Sequence, residues 1–464
     1  MRILHQSQGF TTFEQAFEIA EKSNQPVLYS KTMEIEAIDP LQFYEAGYSI
    51  FNGERSYWQD PKSECTYAGA GSAKTFHIKE TDRFNALSEQ WKRFLKDAVI
   101  EKGAVWTGPV ILGGFSFDPE KNKGAEWGSF NQGHFQLPAF MLTVDQYGKS
   151  FLTVNVVCNK GEHAVTVWNQ MQKQKAALLN KTVNSLKDVN VLSIKECQPL
   201  EWKSSLTAVV ERINRDELEK VVLARKVKVE FDDRKRSDSI LEKLRDDQSE
   251  SFIFSFEAGE SCFIGATPER LIKKYKNKVL STCLAGSIAR GKTMNEDQEF
   301  GKELLSDEKN LGEHEIVVRM ISQSLEDLCS HLSVPDQPVL MKMRDIQHLY
   351  TPVEGITERD SILEFVKKLH PTPALGGTPT HKAMEIIREE EEMDRGFYAA
   401  PVGWLNAEGD GEFAVAIRSG LLSGKHAYLY AGCGVVKDSD AESEYQETLI
   451  KLRPMVRAVG GTIS

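Results

Sequence analysis

Lys220-Val221-Val222-Leu223-Ala224-Arg225-Lys226-Val227-Lys228-Val229-Glu230 decides how the chain is read. Its first half is an apolar run. Its second half alternates, with Val227 and Val229 on one side and Lys226, Lys228 and Glu230 on the other. A period of two marks a strand with one buried face. An amphipathic helix precedes it, so Lys220 stands at the mouth of the strand. An ammonium carried into a packed interior loses hydration, which depresses its pKa and can make a lysine a usable base. A lysine at a strand end is more commonly a solvated surface group, so the residue gains meaning only from its company.

Further along, Val110-Ile111-Leu112 and Phe151-Leu152-Thr153-Val154-Asn155-Val156-Val157 read as strands too. Short strands outnumber long helices, and the two do not alternate in a βαβ rhythm. This predicts an α+β layered sandwich of large, mainly antiparallel sheets with helices outside. No Pro/Gly/Ser-rich linker divides the chain, and no repeat of roughly 20–50 residues marks a solenoid. The expected organisation is one large domain over residues 1–464, in which 1–200 completes the sheets and 201–464 carries the motifs. The polar stretch Lys181 to Ser204 is the expected seam between those portions.

Composition narrows the partners. The formal net charge of −11 argues against nucleic acid or an anionic membrane. An anionic substrate would then have to find its positive charge locally. Met1-Arg2-Ile3-Leu4-His5 lacks the apolar core of a signal peptide, and no run reaches the roughly 18 apolar residues of a membrane span. Seven cysteines, scattered and without a C-x-x-C pair, fit reduced thiols and a cytoplasmic location. Cys283 and Cys433 read as small buried filler rather than nucleophiles. Nothing demands a partner chain, so a monomer is expected.

Two helices carry candidate carboxylates. Ser439 followed by Glu442 matches a capping box, which predicts a helix start there. Within that helix Glu444, Glu447 and Lys451 share one face, beside an apolar face of Tyr445, Leu449, Leu452 and Val456. Pro454 should kink or end it. A second helical stretch, about Asp297 to Cys329, carries Glu313 in its middle. From spacing alone, both helices could simply be showing solvated carboxylates.

The company of Lys220 changes that reading. Gly265-Ala266-Thr267-Pro268-Glu269-Arg270-Leu271 follows another apolar run. After it come Leu284-Ala285-Gly286-Ser287, His370-Pro371-Thr372-Pro373-Ala374-Leu375-Gly376-Gly377 and Ala416-Ile417-Arg418-Ser419. The last are Tyr430-Ala431-Gly432-Cys433-Gly434-Val435-Val436 and Glu444-Tyr445-Gln446-Glu447 with Lys451. In this order and spacing the chain resembles the chorismate-utilising enzymes, from roughly Trp202 to its C-terminus. Over the first half the likeness rests on pieces such as Gly113-Gly114-Phe115-Ser116-Phe117 and Leu137-Pro138-Ala139-Phe140.

The resemblance implies two large sheets with the site between them, and chorismate as substrate. It also implies a Mg²⁺ ion held by Glu313 and Glu447, with Glu444 one turn earlier as a water-mediated partner. Mg²⁺ favours oxygen ligands, so His314 reads as structural. Isochorismate forms when water attacks C2 while the C4 hydroxyl leaves, which needs a base on one side of the ring and an acid on the other. The resemblance gives Lys220 as that base and Glu269 as that acid, the first neutral and the second protonated in the active form. Arg418 would grip a substrate carboxylate as a fork, with Lys451 adding charge. Gly286, Ser287, Gly432 and Gly434 would let backbone amides approach. Tyr430 and His348 would line the pocket.

Lys220 separates the branches of the family. Ammonia-using anthranilate synthases have glutamine there, and a neutral amide cannot activate water. Aminodeoxychorismate synthases carry a nucleophilic lysine where this chain has Ala285. The long N-terminal portion resembles menaquinone-pathway isochorismate synthases more than the shorter siderophore-pathway ones. The alternatives are a salicylate synthase, which also eliminates pyruvate, and a siderophore-pathway isochorismate synthase. A non-catalytic chorismate binder would need neither Lys220 nor Glu269.

Overall fold

A computed structural model describes residues 2–101, 103–180, 188–344 and 346–463. Of the expected seam, positions 181–187 lie outside the described residues. The α+β expectation holds: among the described residues 21 strands join in one hydrogen-bonded network with helices on its outside. Among the described residues every strand pairing is antiparallel except that of Val27–Ile35 with Val99–Glu101. No helix among them is long and apolar enough to cross a membrane.

The architecture follows from one long strand, Gly133–Asp145. It pairs with Cys65–Ile78 along one edge, while its other edge is shared by Val110–Phe115 and Ser150–Cys158. Two arms leave this junction. The first runs through Cys65–Ile78, Arg55–Gln59, Phe252–Ala258, Ser261–Thr267, Ser419–Ser423 and His426–Val435 to Lys220–Phe231. The second runs through Val110–Phe115, Pro401–Asn406, Gly411–Val415, Arg270–Tyr275 and Lys278–Ala289 to Ile346–Ile356.

One core joins residues of both arms, including Phe254, Phe263, Val402 and Phe413. Such interdigitation across facing sheets is what two half-buried surfaces achieve by stacking. A second core covers the first arm from outside: Val227, Val229, Leu429 and Ala431 meet helix residues such as Leu241, Leu452 and Val456. Val227 and Val229 thus face outwards to helices, and Lys220, in phase with Lys226 and Lys228, takes the opposite face, between the sheets.

Three local expectations need correction. The stretch from Asp297 to Cys329 is two helices, Met294–Ser306 and Glu308–Glu326. Asp307 breaks it, because its side chain accepts from Asn310 N at 2.7 Å and caps the second helix. The C-terminal helix is Ala441–Val459, capped by Asp440 rather than Ser439. Asp440 Oδ1 accepts from Ser443 N at 2.9 Å, while Ser439 is engaged elsewhere. Pro454 does not end that helix, which runs five residues further, to Val459. The donor that proline lacks would have met the carbonyl of Ile450, and Ile450 is exposed, so water can serve it.

Candidate active site

The strand Lys220–Phe231 opens at Lys220, and its neighbour His426–Val435 runs antiparallel with Gly434 opposite Val222 and Gly432 opposite Ala224. A Cβ on Gly434 would lie 2.8 Å from Lys220 Cε, so the lysine side chain occupies the space that glycine leaves. Lys220 Nζ donates to Glu313 Oε1 at 2.8 Å. The expected burial is therefore partial: the Lys220 side chain keeps 19% exposure, at the edge of a cavity rather than inside a packed core.

Glu313 comes from the helix Glu308–Glu326, which packs on Lys278–Ala289 through two neighbouring side chains. His314 Nδ1 meets the Ala285 carbonyl at 3.2 Å and its Nε2 meets Thr351 Oγ1 at 2.8 Å. A carbonyl only accepts, so Nδ1 carries the proton and the threonine hydroxyl donates to Nε2. Asn310, one turn before Glu313, accepts from Ser287 N at 3.3 Å. Gly286 sits at the register shift of this strand pair with φ +73°, a conformation glycine takes without strain. A Cβ there would press on Asn310 at 3.1 Å. Ser287 pairs with His348 across the strands.

The other carboxylates come from the C-terminal helix. Lys451 bonds Glu447 one turn earlier at 2.5 Å and donates to the Gly432 carbonyl at 3.0 Å. Glu444 accepts from Ser439 Oγ at 2.8 Å, and burial raises its carboxyl above the usual range.

Glu269 lies between Ser261–Thr267 and Arg270–Tyr275, its backbone held by Val415 N at 2.9 Å. Burial pushes its carboxyl up to about 7, against the pull of Arg418, Lys451 and Lys220. Those three side chains therefore lie within electrostatic reach of it. Arg418 sits at the strand turn with φ +49° and its carbonyl accepts from Ala266 N at 3.0 Å. Burial lowers its guanidinium from the usual value, while Tyr398, Glu447 and Glu269 act to raise it. His348 is held neutral, at about 4, first by burial and then by Arg418.

Lys220, Glu269, Glu313, Arg418, Glu447 and Lys451 are thus linked by ion pairs and electrostatic contact, next to the Gly432 and Gly434 strand. Tyr430 stands one layer behind: it is buried, stacked on Tyr398 with ring centroids 5.4 Å apart. Tyr398, which the sequence reading missed, is the aromatic at the cavity, since a Cβ on Gly432 would lie 3.4 Å from its hydroxyl. Asn310 was missed as well, although its place one turn before Glu313 was a usable signal. A groove of about 750 Å³ between Gly103–Pro109 and Lys274–Asn277 holds none of these side chains.

Among the described residues no three His, Cys, Asp or Glu side chains are preassembled around a metal. Glu313 and Glu447 are 44% and 49% exposed at the mouth, and each already sits against a cation. Two accessible carboxylates with room for water and an anionic ligand fit Mg²⁺, which keeps several waters and takes few protein carboxylates. Cys283 and Cys433 are buried with thiols pushed upwards by burial, as inert filler should be.

A carboxyl raised by burial beside three basic side chains suits an enzyme for an anionic substrate. Residues 12–460 match the family described as chorismate binding enzyme, and the chain belongs to that family. It is 43% identical over 456 residues, covering 96% of each chain, to the isochorismate synthase MenF of Bacillus subtilis. It is 34% identical to the salicylate biosynthesis isochorismate synthase of Pseudomonas aeruginosa, over 99% of this chain and 96% of that one. In fold it is similar to the menaquinone-specific isochorismate synthase MenF of Escherichia coli, with a TM-score of 0.80 over 97% of this chain and 99% of that one, at 23% identity.

Proposed function

We propose that the chain is a Mg²⁺-dependent isochorismate synthase, interconverting chorismate and isochorismate for menaquinone biosynthesis. The observation that carries this reading is a carboxyl at about 7, Glu269, within electrostatic reach of Lys220 and two further basic side chains. Family membership and the 43% identity to a MenF isochorismate synthase support the substrate and the pathway.

Lys220 takes a proton from the water that attacks C2. The ring double bonds shift, and Glu269 gives its proton to the hydroxyl leaving C4, so one water enters and one departs. Lys220 gains a proton, Glu269 loses one, and exchange with solvent resets both. Arg418 and Lys451 hold the substrate carboxylates, and Gly434 leaves the space through which Lys220 reaches the site. Bound Mg²⁺, held by Glu313 and Glu447 with Glu444 behind a water, would add electron withdrawal at the ring carboxylate. His348 and Tyr398 close the cavity against bulk solvent. A cytoplasmic location and a monomeric state belong to the same reading and rest on composition.

Incubation with chorismate and Mg²⁺, followed by mass and absorbance analysis, tests this. The expected product is isochorismate. No product would leave a chorismate binder, and salicylate with pyruvate, without added lyase, would make the chain a salicylate synthase.

A further inference from the structure

The inner edge of the Lys220 strand is incompletely paired. Gly377–Thr378 pairs with Val221 and Lys220, and Val191–Glu196 takes over from Val227. Among the described residues no strand serves the edge between these two, where the Val222 carbonyl and the Ala224 amide point. An ion pair does. Arg395 Nη2 donates to the Val222 carbonyl at 2.7 Å, and Glu391 Oε1 accepts from Ala224 N at 2.7 Å. Arg395 Nε donates to Glu391 Oε2 at 2.8 Å, and Nη1 donates to the Leu375 carbonyl at 3.0 Å. Both side chains are 2% exposed, and the guanidinium lies 4.2 Å from the centre of the Phe117 ring.

The pair stands where a strand would have continued the sheet. The reason a strand is absent lies three residues on. The turn carrying Arg395 also delivers Tyr398, whose amide donates to the Arg395 carbonyl at 2.9 Å and whose hydroxyl lies beside Gly432. A continuous strand at this edge would exclude that turn. A buried ion pair adds little stability over apolar residues of the same volume, because desolvation offsets its attraction. Stability is therefore a poor account of its presence, and geometry is a better one.

We propose that Arg395 and Glu391 are positioning residues: acting through Val222 and Ala224, they fix the strand end from which Lys220 reaches water, and in the same contact they seat Tyr398. The role rests on the isochorismate synthase reading. One residue, Val221, separates Lys220 from the pinned carbonyl, so loosening the pin displaces the amine directly. A misplacement of about 1 Å can cost about 10²-fold in rate.

Arg395→Lys removes the fork but keeps the charge. The double variant Glu391→Gln/Arg395→Met removes both charges and keeps an acceptor for Ala224 N, but leaves the Val222 and Leu375 carbonyls without this donor, so its Tm falls. For each, kcat and KM for chorismate, calorimetric chorismate binding and Tm are measured beside the parent. The expected result is a kcat per folded molecule lower by about 10- to 100-fold with chorismate binding within about threefold, whatever the change in Tm. A merely structural role lowers Tm and the folded fraction while leaving kcat per folded molecule near the parent's, and that result overturns the proposal. Failure of both variants to fold makes the pair a folding requirement and also overturns it. A parent that makes no isochorismate sinks the functional reading itself, whereas a working parent beside an unaffected double variant sinks only the positioning role.

Discussion

Lys220 donates to Glu313 across 2.8 Å, so the amine proposed to activate water is bonded to a carboxylate proposed to hold the metal. A strand end and the middle of a helix, 93 residues apart in sequence, meet in that contact. The bond ties the two halves of the chemistry together, and each partner can be removed separately.

Lys220→Met removes the base. Loss of a general base alone lowers turnover by about 10²–10⁴, while chorismate binding, carried by Arg418 and Lys451, changes little. The same variant removes the hydrogen-bond donor to Glu313, so Mg²⁺ binding measured by calorimetry tightens. Turnover equal to the parent's would remove Lys220 from the mechanism.

Glu313→Ala and Glu447→Ala each delete half of the hard-oxygen donor set. The concentration of Mg²⁺ needed for half-maximal turnover rises in both, and calorimetric Mg²⁺ binding weakens. A magnesium titration superimposable on the parent's would count against these ligands.

Glu269, at about 7, holds its proton on the acid side of that value and loses it on the alkaline side. A donor must be protonated, so kcat/KM for chorismate falls as pH rises through about 7. A profile flat between about pH 6 and pH 8 would exclude Glu269 as the titrating acid.

The same group predicts a stability effect in the same sense as activity, both falling as pH rises. Its folded-state value lies above the ordinary 4.5, so its contribution is intact below about 4.5 and is lost as pH rises through about 7. The shift corresponds to about 3 kcal/mol at most. Glu269→Gln carries no charge to bury, so it loses turnover yet raises Tm relative to the parent at alkaline pH, with little difference near pH 5. Equal Tm differences at both pH values would contradict the burial of an ionised Glu269.

Gly434→Ala places a methyl group 2.8 Å from Lys220 Cε. The atom it meets is the far end of a flexible chain, so the fold yields by moving the lysine. The expected outcome is a Tm near the parent's with kcat reduced by an order of magnitude or more. Unchanged kcat would show that the Lys220 position in this cavity does not matter.

How far the sequence reaches is clear at particular residues. The alternation after Lys220 is legible because a period of two survives in Val227 and Val229, and it gives the strand and the face that helices cover. Glu444, Glu447 and Lys451 are legible because helical spacing puts them on one face. Helix ends were read less well. Asp307 and Ser439 both carry capping side chains, and only the fold decides which of neighbouring candidates a helix uses. Pro454 continued a helix because the carbonyl it leaves unpaired faces water. Tyr398 and the Arg395–Glu391 pair left no periodic signal at all, since they act from a turn across a gap between strands. Tyr430 was placed at the pocket because its strand is there, but the depth of a side chain between two sheets depends on what stands in front of it.

The most direct test is turnover of chorismate with Mg²⁺ in heavy-oxygen water, with the product analysed by mass. The account predicts isochorismate that carries one solvent oxygen on its ring, with no pyruvate released. Isochorismate without the label, or no conversion at all, would contradict attack by water activated at Lys220.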